Sequence, residues 1–154
     1  MLDPNQDGIT HINVYSKAKT AIGQFLSNFA YAPIDLEDDG HFDSIEAYCY
    51  WLGTNHIERD TLRYTHGFEA KKLGRALSAN DWHEKDVDFV NKIKAAITAK
   101  LIKYPKVVEA LKKANLPLKH YYVYGGVKTV EPEEGRWVLE HIENHKKYRG
   151  VGKR

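Results

Sequence analysis

Ile45, Tyr48, Cys49, Leu52 and His56 recur at i, i+3, i+4, i+7 and i+11, and predict an amphipathic helix beginning near Asp43. Ala70, Leu73 and Leu77 mark the inner side of a second helix over about 66–78. Val90, Ile93, Ile97 and Leu101 do the same for a longer one, from about Asp81 to Tyr104. Pro105 ends that helix or opens the next, which covers 106–114 and is closed by Asn115 and Pro117. A last helix is expected from about Pro132, a residue suited to a first turn. Glu133 and Glu134 would sit at its positive end and Lys146 and Lys147 at its negative end, as the macrodipole favours, with Gly150 as a stop.

The remaining patterns have a period of two. INVYS at 12–16 alternates and reads as a short strand. A loop and FLSNF (25–29) follow, and API at 32–34 leads into a second strand. The turn EDDG (37–40) would return that strand as a hairpin through His41 and Phe42. KHYYVYGG (119–126) is a further β-rich run ending in glycines. The expected fold is mainly α with small β-strand and hairpin elements. Residues 1–10, with Pro4 and Gly8 as breakers, read as a flexible lead-in, 11–149 as a single domain, and 150–154 as a basic tail.

Composition narrows the function classes. The 154 residues carry 23 basic and 21 acidic side chains, too even a balance to argue for nucleic acid from bulk charge. Ten tyrosines and three tryptophans supply core and can also line a pocket for a flat ligand. The lone Cys49 excludes a disulfide framework and a zinc site built on several cysteines, so a reducing, cytoplasmic setting is the default. MLDPNQDG is acidic and polar, unlike a signal peptide, and no apolar run reaches membrane-spanning length. No phosphate-loop, dinucleotide, HExxH or GxSxG signature occurs. His141 and His145 share a two-histidine metal spacing, but no third ligand is evident. Neither a metal nor another cofactor is expected.

The candidate chemistry centres on FDSIEAYCYWLG (42–53). Asp43-Ser-Ile-Glu46 fits a capping box, in which Glu46 only reaches back to the helix start. Yet Glu46 also borders an aromatic face, beside Tyr50 and Gly53. Partial desolvation there raises a carboxyl pKa and suits a general acid. In GFEAKKLGR (67–75), Phe68, Lys72 and Arg75 lie along one ridge, and Gly74 permits close approach. Two cations one turn apart can grip a phosphate, or they can be a solvated face with Glu69 paired to Lys72. In NDW (80–82), Asn80 or Asp81 can cap a helix while Trp82 anchors its packing. Lys100 falls on an apolar row with Phe89, Ile93 and Ala96, either snorkelling or facing a polar cavity.

In order and spacing, INVYS, FLSNF, FDSIEAYCY, EAKKLGR, NDW and AITAKL (96–101) resemble the NADAR (YbiA-like) family, from about residue 12 to 115. The resemblance implies a mainly α fold and hydrolysis of N-glycosidic bonds. Its described substrates include a ribosylaminopyrimidine phosphate and ADP-ribose attached to guanine. It places the family glutamate at Glu46, the basic pair at Lys72 and Arg75, an asparagine at Asn28, and the Asp-Trp pair at Asp81 and Trp82.

Ala47 stands where the family commonly has His, and Tyr50 where it often has Gln. Of the family's C-terminal WGxGxxGxN stretch, only YGG at 124–126 is a candidate remnant. Cleavage of a C1′–N bond needs an acid for the departing nitrogen or a base for water. Glu46 is the candidate, with Asp81 second; Lys72, Arg75 and Lys100 would meet the substrate, and Phe29 or Trp82 would stack on its base. The expected partner is a small nucleotide or an ADP-ribosylated base, with nucleic acid only as a modified substrate and no membrane. The alternatives are an inactive ADP-ribose- or nucleotide-binding module and a partner-binding protein.

Overall fold

The computed structural model describes residues 2–80, 87–125, 128–132 and 136–151. Among the described residues the fold is mainly α with three two-stranded sheets. The helices are α1 (Ala21–Leu26), α2 (Ile45–Gly53), α3 (Gly67–Leu77), α4 (Val87–Lys103), α5 (Pro105–Ala114) and α6 (Arg136–Val151). The strands are β1 (Ile12–Asn13), β2 (Ile34–Leu36), β3 (Gly40–Phe42), β4 (Leu118–Lys119), β5 (Tyr122–Tyr124) and β6 (Lys128–Val130). Short 3-10 turns cover Pro4–Gln6 and Arg59–Tyr64. No helix among the described residues is long and apolar enough to cross a membrane.

The chain divides into two compact units. One comprises residues 1–27 and 104–154, the other 28–103. In the first, β1 pairs in parallel with β4, Ile12 facing Leu118. Asn13 locks this pairing, because its side-chain amide donates to the Tyr121 carbonyl (3.0 Å) and its Oδ1 accepts the Tyr121 amide (3.0 Å). Ile12, Leu26, Val108, Leu111, Tyr121 and Ile142 fill the core of this unit. The expected flexible lead-in is instead anchored. Asp7 is buried, and its carboxylate accepts the amides of Asn13 and Lys19, each at 2.9 Å.

In the second unit, β2 and β3 form the expected hairpin, with Ile34 opposite Phe42. Gly40 takes φ +87°, a left-handed conformation natural to glycine, at the end of the turn. Phe42, Tyr48 and Trp51 pack ring against ring. Arg59 and Arg63 lie over Trp51 at 3.8 and 5.0 Å from its ring centre. Ile34, Ile45, Leu62, Ala70, Ile93 and Leu101 complete the core. This packing holds α2 against α3, the 59–64 turn and α4.

Several local expectations need correction. The strand expected at 12–16 is only two residues long, while the expected loop and FLSNF contain α1. The buried residues of α2 are Ile45, Ala47, Tyr48, Trp51 and Gly53, so its inner face is turned from the expected stripe toward Trp51. Pro105 opens α5 at its first turn, and Asn115 closes it in the left-handed conformation. The final helix runs past Gly150 to Val151.

Candidate active site

The site begins with the start of α2. Ser44 is the N-cap: its hydroxyl accepts the Ala47 amide at 3.1 Å, while donating to the Thr65 carbonyl at 3.0 Å. Asp43 is engaged elsewhere. Its carboxylate meets His41 Nε2 at 2.7 Å, and its amide donates to the Arg63 carbonyl at 2.8 Å. The amide that a capping-box Glu46 would need is therefore taken. The capping reading of Glu46 falls, and its carboxyl accepts no hydrogen bond among the described residues.

Glu46 follows on the first turn of α2, and its amide donates to the Asn28 carbonyl at 2.9 Å. Burial raises its pKa from 4.5 to about 7, against the opposing charges of Lys71 and Arg75. Asn28 is beside it through this backbone contact, and its side-chain Oδ1 is buried with no hydrogen-bond partner among the described residues. An orphaned buried acceptor is costly, and it becomes satisfied when a ligand brings an N–H or O–H.

The facing element is α3. Lys71 and Arg75 are one turn apart on it, as Glu46 and Tyr50 are on α2. Gly74 is buried where the two helices meet, and the Tyr50 ring lies across it so closely that any β-carbon there would overlap the ring. The Tyr50 pKa is raised by burial and by Glu46, with Arg75 opposing. Burial, and then Glu46, raise the Cys49 thiol on the same helix.

The structure brings Glu46, Asn28 and Arg75 together and adds Lys71 and Tyr50. Lys72 is exposed on the outer ridge with Phe68, and the lysine whose charge acts on Glu46 is its neighbour Lys71. A legible signal for Lys71 was its i, i+4 spacing to Arg75 on the Gly74 side of the helix. Phe29 is half-buried, and its carbonyl accepts the Gly67 amide at the start of α3 (2.8 Å). Lys100 is 2% exposed on α4. Burial lowers its pKa to about 7, and it is not among the charges acting on Glu46. Asp81 and Trp82 lie outside the described residues. Among the described residues, no cluster of three or more His, Cys, Asp or Glu is placed to hold a metal.

The arrangement offers a carboxyl that exchanges its proton near neutral pH, two cations suited to an anionic group, and an unsatisfied acceptor. No family model matches the chain. No curated protein matches it either. Among solved structures it is similar to the NMR structure of the Escherichia coli protein YbiA, with a TM-score of 0.67 at 19% identity, over 94% of this chain and 87% of that one. The chain has a YbiA-like fold.

Proposed function

We propose that the chain hydrolyses the N-glycosidic bond of a phosphorylated ribosyl base or an ADP-ribosyl base. The observation that carries this reading is Glu46: a carboxyl with a pKa of about 7, released from helix capping and facing two cations. In this reading Lys71 and Arg75 hold the phosphate oxygens and Asn28 Oδ1 accepts a hydrogen bond from the sugar or base. The C1′–N bond breaks with its electron pair passing to the base nitrogen, which takes the Glu46 proton. Water bonds to C1′ and returns a proton to the Glu46 carboxylate, so the enzyme is restored. A fixed geometry for these groups supplies much of the acceleration expected.

The test is release of free base from ADP-ribosyl-guanosine and from ribosylaminopyrimidine phosphate, with wild type and Glu46→Gln side by side. Release by wild type alone supports the reading. Retained binding of ADP-ribose without release by either protein would replace it with that of a binding module.

A further inference from the structure

We propose that Tyr31, His66 and Phe68 form a stacking subsite for a second nucleobase, which the ligand carries beyond its phosphates. The site then takes a ribosyl group joined to that base through a pyrophosphate, rather than a lone ribosyl phosphate. The placing of phosphates at Lys71 and Arg75 rests on the proposed function, and this inference narrows its two substrate classes to the ADP-ribosyl one.

Helices α2 and α3 start side by side. Consecutive carbonyls tie them: Asn28 accepts the Glu46 amide at 2.9 Å, and Phe29 accepts the Gly67 amide at 2.8 Å. Ser44, the cap of α2, donates to the Thr65 carbonyl just before α3. Further along, the Ala32 amide donates to the Asp43 carbonyl at 2.9 Å, so Tyr31 sits on backbone fixed on both sides. This shared end carries Glu46, the buried Asn28 Oδ1 and three exposed rings. Tyr31 is 59% exposed and Phe68 71%. Tyr31 meets the exposed His66 ring edge to face, with centroids 5.2 Å apart. His66 and Phe68 flank Gly67, the residue bound to Phe29. Tyr31 is three residues from Asn28, at most about 11 Å along the chain.

Phe68 precedes Lys71 by three residues and Arg75 by seven, on one side of α3, roughly 4.5 and 10 Å away along the axis. Helical side chains lean toward the N-terminus, so both cations lean toward the rings. A single exposed apolar side chain is ordinary on a surface. Rings gathered within reach of two cations suit a nucleoside diphosphate, with its oxygens on Lys71 and Arg75 and its base on the rings. An apolar partner would cover the rings but set nothing against the cations, whereas a flat anionic ligand matches both.

The test is the affinity of ADP-ribose and of ribose 5-phosphate for the full chain, by titration calorimetry. ADP-ribose should bind at least about tenfold more tightly. Tyr31→Ala and Phe68→Ala should each weaken ADP-ribose about five- to tenfold, the lower end of what one stacked base contributes, and leave ribose 5-phosphate unchanged. Both rings are largely exposed, so neither substitution removes core packing. In wild type, ring currents should move the adenine protons of bound ADP-ribose upfield in proton NMR. Equal affinity for the two ligands, unshifted adenine protons, or ADP-ribose affinity unchanged in both variants would overturn the proposal. A single-stranded oligonucleotide free of ADP-ribose that binds as tightly as ADP-ribose would overturn it too, and would make the rings a polynucleotide strip. Tyr31-dependent binding by a protein that releases no base would keep the subsite and remove the hydrolase reading. Base release from ribosylaminopyrimidine phosphate alone would do the reverse.

Discussion

The Ser44 hydroxyl accepts the Ala47 amide at 3.1 Å and thereby takes from Glu46 any part in capping its own helix. A carboxyl with no capping partner, half-buried and opposed by Lys71 and Arg75, bears a desolvation cost in its charged form.

That cost makes stability depend on pH. The folded pKa of Glu46, about 7, lies above its ordinary value of 4.5, so the native state binds this proton more tightly than the unfolded chain. Its contribution is most favourable below about pH 4.5 and is lost as pH rises through about 7, an effect on the order of 2–3 kcal/mol. Glu46→Gln should therefore melt higher than wild type at pH 8 and nearly match it at pH 4.5, while base release disappears. A lower melting point at pH 8 would show that the charged carboxylate is stabilised.

An anion held by Lys71 and Arg75 would neutralise charges that oppose the rise in the Glu46 pKa. Binding of ADP-ribose at pH 7 should then take up a fraction of a proton, seen as a dependence of binding enthalpy on the buffer's ionisation enthalpy. Lys71→Ala and Arg75→Ala should each weaken affinity by about 1.5–3 kcal/mol. Lys72→Ala, on the outer ridge, should cost less than about 0.5 kcal/mol, the scale of an exposed charge. Equal losses for Lys71 and Lys72 would restore Lys72 to the site.

Gly74→Ala inserts a methyl group where the Tyr50 ring lies. Overpacking of this kind costs about 1–3 kcal/mol and outweighs the better helix propensity of alanine, which is worth roughly 1 kcal/mol at most. Denaturant unfolding should register the loss. The double variant Gly74→Ala/Tyr50→Ala should be more stable than the sum of its parts, because the clash is then absent. Strict additivity would show that the two residues do not share the contact.

His41 has a carboxylate on each nitrogen, Asp35 at 2.9 Å and Asp43 at 2.7 Å, and Tyr64 stacked on its ring. The Asp35 and then the Asp43 hydrogen bonds raise its pKa above 6.5. Lys103 Nζ also approaches Asp35, at 4.0 Å. The stabilisation is fully present below the unfolded value and is lost as pH rises through the folded one. His41→Gln should lower the melting temperature more at pH 5.5 than at pH 9. An equal loss at both would assign the effect to packing rather than charge.

The sequence made α3 and the 34–42 hairpin legible because each carries its own local signal: helical spacing of Ala70, Leu73 and Leu77, and turn chemistry at Asp39-Gly40. α1 is six residues with a central glycine, too short for a period to show. The cap of α2 was ambiguous because Asp43 and Ser44 are both good capping residues. The choice is made by His41 and Arg63, which engage Asp43 from elsewhere in the unit. Lys71 and Lys72 are likewise adjacent and chemically equal, and only the side of α3 that meets Tyr50 separates them. Glu46 itself was legible, since its position on the aromatic border is a property of the helix period.

The parallel pairing of β1 with β4 also bears on how the chain acquires its structure during synthesis. His11 meets Tyr121, 110 positions later, at 2.6 Å, and β1 cannot pair with β4 until most of the chain has been made. Residues 28–103 form a compact unit of their own and can order while that pairing waits. Contacts of such long separation form late because a large loop must close first. Pulse-labelled hydrogen exchange should thus protect amides of α2 and α3 before those of Ile12 and Val14, whose acceptors are the Pro117 and Lys119 carbonyls.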